Sequence, residues 1–249
     1  MSLLHQLADR IAAHRPADRA LIVGITGAVA AGKSTLAREL KAALTAQPKP
    51  PRVEIVGTDG FLRPNTELTE MGLLNQKGFP ASYDTARLHA ALFAIRTGWA
   101  DFPAYSHVAY DIDPALTRTL ASPDILLVEG LNLHHRTTDP TGPDPLDLLI
   151  YLDADEADLW AWFLARFMGL WEAAEHDASS FYRQFRTMDR PQTEAFAHMV
   201  WTQINLKNLH EHISRAKTHA DIVVRKTADH RISIVEPRAT HSSNRQSIL

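Results

Sequence analysis

Ala20-Leu-Ile-Val-Gly-Ile-Thr-Gly-Ala-Val-Ala-Ala-Gly-Lys-Ser34 holds the reading of the fold. Its first seven residues form a short apolar run rich in β-branched side chains, the pattern of a buried strand. Gly27 to Ser34 then spells G-x-x-x-x-G-K-S. Leu36, Leu40, Ala43 and Leu44 follow at helical spacing until the prolines at 48–51 stop the helix. A glycine-bearing loop between strand and helix can curl so that its N–H groups face a phosphate, and the helix dipole adds to their pull. Lys33 brings a positive charge, and the Ser34 hydroxyl suits Mg²⁺. Gly27, Ala28, Val29, Ala30, Ala31, Gly32, Lys33, Ser34 and Thr35 are therefore the candidate nucleotide-binding residues.

Outward from this loop, apolar runs at 53–56, 125–128, 148–152 and 222–224 read as further buried strands. Helices are expected over 2–14, around 88–95, over about 156–170 and over about 191–213. Residues 60–84 are rich in Gly, Pro and Asn and read as loop with a short helix inside. The alternation predicts an α/β, P-loop NTPase-like three-layer fold: a mostly parallel central sheet flanked by helices. Residues 1–237 are expected to form one domain, with a helical lid over about 155–213 and a disordered polar tail over 238–249.

The 249 residues are 45% apolar and 22% charged, with a formal net charge of −3. That balance fits a globular chain and carries no basic excess for nucleic acid. The chain has no cysteine, which excludes disulfides, thiolate metal sites and cysteine nucleophiles. No apolar run reaches the ~18 residues of a membrane span. A soluble, cytoplasmic protein is expected.

Asp59, in Gly57-Thr-Asp-Gly-Phe61, follows the second strand, at the edge where open parallel sheets hold their ligands. A carboxylate there suits a base that accepts the proton of an attacking hydroxyl, or a turn before Gly60. Glu129 ends the third strand and is placed to hold Mg²⁺ directly or through water. Gly130 follows it, leaving no second acid to activate water, which favours transfer to a bound acceptor over hydrolysis.

Leu159, Trp162, Phe163, Phe167 and Leu170 form an apolar stripe, and Arg166, seven residues after Leu159, points the same way. A charge on a buried stripe needs a partner, either a phosphate or a carboxylate. If 103–110 is extended, Tyr105 and His107 share one face and Tyr110 takes the other. His134-His135 and His210-Glu-His212 lack metal-ligand spacing and read as solvated surface. These residues point to transfer of the γ-phosphoryl group of ATP, with Mg²⁺, onto a hydroxyl of a small molecule.

The chain resembles bacterial type I pantothenate kinases from about residue 18 to 236. The likeness runs in order through Thr58-Asp-Gly-Phe-Leu62, Pro64-Asn65, Lys77-Gly-Phe-Pro80, Ser82-Tyr-Asp84, Tyr105-Ser-His107, Tyr110-Asp111 and Pro123-Asp-Ile-Leu126. It continues through Glu129-Gly-Leu-Asn132, Arg166-Phe167, Ile204-Asn205 and Asn208-Leu209. The resemblance implies ATP-dependent phosphorylation of pantothenate to 4'-phosphopantothenate, the first step toward coenzyme A. It implies Asp59 as base, Glu129 as the acid near Mg²⁺, and Arg166 at the transfer site. His107 and Asn205 match residues that hold pantothenate, with Tyr105 beside them. Arg38 and His107 match positions used by coenzyme A as a feedback inhibitor, and Lys226 and His230 match the adenine-side segment. A homodimer is implied by the resemblance alone.

Departures from the family pattern fall in the acceptor pocket. Phe163 and Phe185 stand where the family has tyrosines, and Glu175 falls where it has an apolar aromatic. The N-terminal region, which contributes to the adenine pocket in the family, is shorter. A nucleoside or sugar acceptor therefore stays open as a second reading. A nucleotide-binding regulator is a third, although the chain has no N-K-x-D motif for guanine.

Overall fold

The computed structural model describes residues 2–106, 108–134 and 144–235. His107, His135 and the expected tail over 238–249 lie outside the described residues. The chain opens with α1 (Leu3–Ala13), whose first turn is capped by the Ser2 hydroxyl accepting from the His5 amide. Then come β1 (Leu21–Gly27), α2 (Lys33–Thr45), β2 (Val53–Gly57), α3 (Asn65–Glu70) and α4 (Thr85–Ala94). An antiparallel hairpin, β3 (Trp99–Ser106) and β4 (Asp111–Ala121), precedes β5 (Ile125–Glu129) and β6 (Leu148–Asp153). The C-terminal part holds α5 (Glu156–Ala173), α6 (Arg190–Val200), α7 (Leu206–Glu211), β7 (Ile222–Lys226) and β8 (Ile232–Val235).

Six strands form one sheet in the order β2-β5-β1-β6-β7-β8, parallel except for β8. This is the expected α/β architecture. Every residue of β1 is buried, which its continuous apolar sequence requires of a strand covered on both faces. Leu7 and Ile11 of α1 and Leu36 and Leu40 of α2 join the core around it. The register matters most for function. Glu129 lies opposite Gly57, the last residue of β2, and Ile25, two residues before the end of β1, so the three strands finish within two residues of one another on one edge of the sheet.

Two expectations need correction. Residues 103–110 are not one extended run: β3 ends at Ser106, and 108–110 turn the chain back into β4. The alternating polar and apolar residues of β4 carry a strand signal that the 103–110 reading did not use. The helix expected over 191–213 runs from Arg190 to Glu211 but is not regular. Between α6 and α7 the chain widens into a π-helical turn, Trp201–Asn205, and a 3-10 segment follows at Ile213–His219.

The edge opposite the strand ends is tied by Asp147. Its carboxylate accepts from Arg19 Nη1 and Nη2, both at 2.9 Å, from the Ile22 amide at 2.8 Å and from Arg96 Nη1 at 2.9 Å. Burial alone would push this carboxyl up, but the Arg19, Ile22 and Arg96 hydrogen bonds hold it below its ordinary value. Asp147→Ala leaves two guanidinium groups and an amide without their acceptor. We expect it to cost about 3–5 kcal/mol, read as a lower urea midpoint at unchanged m-value.

Candidate active site

The loop between β1 and α2 closes around its own backbone. Ala30 and Gly32 adopt left-handed φ values of 65° and 100°. A side chain at Gly32 would also meet Lys226 Nζ at 2.9 Å. Lys33 donates to the carbonyls of Gly27 (3.1 Å) and Ala28 (2.8 Å), so its ammonium hangs over the cradle. Burial lowers its pKa, the Glu129 and Asp59 carboxylates oppose that fall, and the Arg166 charge adds to it. The Ser34 hydroxyl donates to Glu129 Oε1 at 2.8 Å. Two hard oxygen donors meeting here fit a Mg²⁺ site. Arg38 stands exposed one turn further along α2, reaching Thr35 Oγ1 at 3.2 Å.

Asp59 sits in the 3-10 turn Thr58–Phe61 that follows β2. A cleft of about 220 Å³ is lined by Asp59, Glu129 and Tyr105, with Phe102 and Arg118 on its hairpin side. The hairpin is held there by an edge-on contact of Phe61 with Phe102 and by Arg118 donating to Glu54 at 2.8 Å. Beyond the cleft, Lys77 Nζ donates to Asn65 Oδ1 and the Tyr110 carbonyl, both at 2.6 Å. It lies 4.7 Å from the Tyr105 ring centre and 4.4 Å from that of Tyr110. Because the chain turns after Ser106, Tyr105 and Tyr110 pack edge-on at 6.1 Å instead of facing opposite ways. Tyr110 in turn stacks on Phe181 at 4.1 Å.

The region expected as a helical lid holds α5, α6 and the 3-10 segment Phe181–Thr187 between them. Asp189 and Gln192 form a capping box that starts α6. Phe163 packs against Trp160, Phe167 and Trp201, and Phe185 packs against Phe167 and Phe196. Arg166 is not on a buried stripe. Leu159, Phe167, Met168 and Trp171 are the buried residues of α5, and Arg166 is exposed at the mouth. Its charge still reaches Lys33 and Tyr182. Glu175 does not line the pocket either. It is exposed and pairs with Arg186 at 2.8 Å, whose guanidinium covers Trp171. Asn205 is half-buried on the π-helical turn. His134 is half-buried, whereas His210 is exposed against Glu156.

On the far side of the cradle, Lys226 Nζ donates to the Ala31 carbonyl at 2.9 Å and lies 4.2 Å from the Trp162 ring centre. His230 stacks on the same indole at 5.0 Å. Lys77, Tyr83, Trp162, Phe181 and Tyr182 are the site's neighbours that reading the sequence did not assign to it. Lys77 and Tyr83 lie in segments whose motifs were noticed, but only the fold shows what they touch.

Residues 22–170 match the phosphoribulokinase/uridine kinase family. A pantothenate kinase of Rhizobium rhizogenes is 42% identical over 226 residues, 87% of this chain and 68% of that protein. One from Sorangium cellulosum is 40% identical over 240 residues, 94% and 78% of the two chains. The chain belongs to the phosphoribulokinase/uridine kinase family, among its pantothenate kinases. The solved structure of a putative fructose transport system kinase from Silicibacter sp. TM1040 superposes with a TM-score of 0.71 at 23% identity. It covers 90% of this chain and 99% of its own. At that identity the likeness speaks for the fold. Among the described residues, no helix of this P-loop kinase is long and apolar enough to cross a membrane.

Lys77 gives the site a testable electrostatic signature. Burial lowers its pKa to about 8, while Asp111 and Asp59 hold back the fall. In a labelling experiment with an amine-reactive probe, the Lys77 rate is expected to rise through a midpoint near 8, earlier than that of the exposed lysines. Asp111→Asn removes a charge that favours the ammonium and is expected to move that midpoint lower still.

Proposed function

We propose that this chain transfers the γ-phosphoryl group of ATP to the primary hydroxyl of pantothenate, giving 4'-phosphopantothenate. The observation that carries this reading is that Asp59 and Glu129 line one cleft beside Tyr105, with Ser34 bonded to Glu129 and the Lys33 ammonium within the field of both carboxylates. The relatives named pantothenate kinase supply the acceptor. In this reading the amides of Gly27–Thr35 and the Lys33 ammonium bind the phosphates, and Trp162, Lys226 and His230 border the base. Ser34 and Glu129 would hold Mg²⁺, which supplies neutralisation of phosphate charge when bound. Asp59 accepts the proton of the attacking hydroxyl. Arg166, exposed and near enough for its charge to act on Lys33 and Tyr182, would turn toward the transferring group, where a guanidinium meets growing negative charge.

Lys77, Tyr105, Tyr110 and Asn205 wall the acceptor side, with Phe163 contributing shape and no hydroxyl. Coenzyme A feedback would use Arg38 together with His107, and the active form would be a cytoplasmic homodimer. The second reading, a nucleoside or sugar acceptor, draws on Phe163 and Phe185, which both lie inside the aromatic cluster and offer no polar group to an acceptor.

The deciding assay is ADP release from Mg²⁺–ATP with pantothenate, uridine, fructose or no acceptor. Release that depends on pantothenate, with a phosphorylated product, supports the first reading. Dependence on another acceptor, or on none, overturns it. Asp59→Asn keeps the shape of the side chain and removes the base, so kcat is expected to fall about a hundred- to ten-thousandfold with ATP affinity kept. Lys33→Ala is expected to weaken nucleotide binding and turnover together, measured by titration calorimetry alongside the rate assay.

A further inference from the structure

Asp59 does not stand alone in its turn. Tyr83 donates its hydroxyl to Asp59 Oδ1 at 3.0 Å. The Thr58 side chain lies beside the Tyr83 hydroxyl, where it opposes part of the rise in the Tyr83 pKa. Thr58 is 3% exposed and Tyr83 8%, so water has little part in this chain of contacts. Burial pushes the Tyr83 pKa well up, and the Asp59 charge adds to it, so the phenol keeps its proton and remains a donor.

The backbone fixes Tyr83 against the same turn. Tyr83 forms an isolated antiparallel bridge with Leu62. Beside it, the Arg63 amide donates to the Ser82 carbonyl at 2.9 Å and the Asp84 amide donates to the Phe61 carbonyl at 2.8 Å. Glycine at 130 makes room for the arrangement, because a Cβ there would lie 1.7 Å from Thr58 Oγ1. Tyr83 and Thr58 also line a second cavity, of about 180 Å³, together with Pro80, Leu88 and Leu131.

A carboxylate with one oxygen held by a buried donor keeps its other oxygen free and has fewer orientations open to it. We infer that Tyr83 is a positioning residue for phosphoryl transfer, holding Asp59 Oδ1 through its hydroxyl so that the second oxygen faces the acceptor. This rests on the reading of Asp59 as the base. Gly130 leaves the space for Thr58, which packs beside the phenol.

The test compares Tyr83→Phe, Asp59→Asn and the double variant in the ADP-release assay, with KM for both substrates, ATP affinity and thermal midpoint measured for each. Tyr83→Phe keeps the ring that fills the wall and is expected to lower kcat about ten- to a hundredfold, the scale of a misplaced reacting group. Both KM values should stay within about twofold, as expected when only transition-state geometry is lost. In the double variant, Tyr83→Phe should cause no further loss, because the group it acts through is already gone. Thr58→Val, which keeps the β-branched shape, should repeat the kcat-only pattern on a smaller scale.

A normal kcat in Tyr83→Phe beside a slow Asp59→Asn overturns the inference and leaves the base assignment standing. Multiplying losses in the double variant, or KM values that rise as the thermal midpoint falls, overturn it as well. Near-normal turnover in Asp59→Asn overturns the assignment of the base itself, and the role of Tyr83 with it.

Discussion

The hydrogen-bonded ladder that sets Glu129 level with Ile25 on one side and Gly57 on the other decides where three loops begin. From these ends the chain leaves the sheet as the phosphate loop, the Asp59 turn and the Glu129–Gly130 corner. A slip of one residue in a parallel pair would move every side chain of that strand to the opposite face. The continuous burial of β1 and the near-complete burial of β5 hold the register, because both faces are packed and neither tolerates the exchange. The short contact between Ser34 and Glu129 is the direct consequence: it joins the helix after one strand to the end of the next.

On this frame the charges are arranged unevenly. Lys33 spends its hydrogen bonds on two carbonyls of its own loop, partners that a phosphate can replace at little cost. Lys226 does the same with the Ala31 carbonyl while its ammonium rests over Trp162. Arg166 is exposed and lends its field to Lys33 and Tyr182. Burial, more than repulsion between the cations, disfavours the Lys33 ammonium, and Glu129 and Asp59 offset only part of that. An anion with several charges completes the balance, which is the electrostatic logic of a polyphosphate site.

How much of this could be read in advance depends on whether a residue's role is local. The strand-loop-helix around Gly27–Ser34 is written in consecutive residues, so both fold and cradle were legible there. Asp59 and Glu129 were legible because the end of a strand in a parallel sheet is itself a place. Arg166 was misjudged because α5 is apolar over more than half its circumference, and spacing alone does not say which part faces the core. Tyr110 was misjudged because the turn at 108–110 reverses the chain within three residues. Tyr83 lies 24 residues from Asp59, and only the Leu62–Tyr83 bridge brings the two together. No periodicity reports a contact of that kind.

The acceptor side divides into two chemistries that meet at one stacked pair. Against the hairpin, Lys77 and Asn65 meet its Tyr105, so an ammonium, an amide and a phenol surround a half-buried centre. On the lid, Phe163, Phe167, Phe185 and Phe196 present only rings. Tyr110 on Phe181 joins them, and the Phe181 amide donates to the Val108 carbonyl at 2.9 Å, so hairpin and lid are tied through both ring and backbone. A tyrosine-to-phenylalanine change in a pocket is harmful when it strands a polar partner. At Phe163 the neighbouring rings are Trp160, Phe167 and Trp201, within an aromatic packing that is already apolar. The loss of a hydroxyl there leaves that aromatic packing whole, and the polar groups beside it stay on the hairpin side.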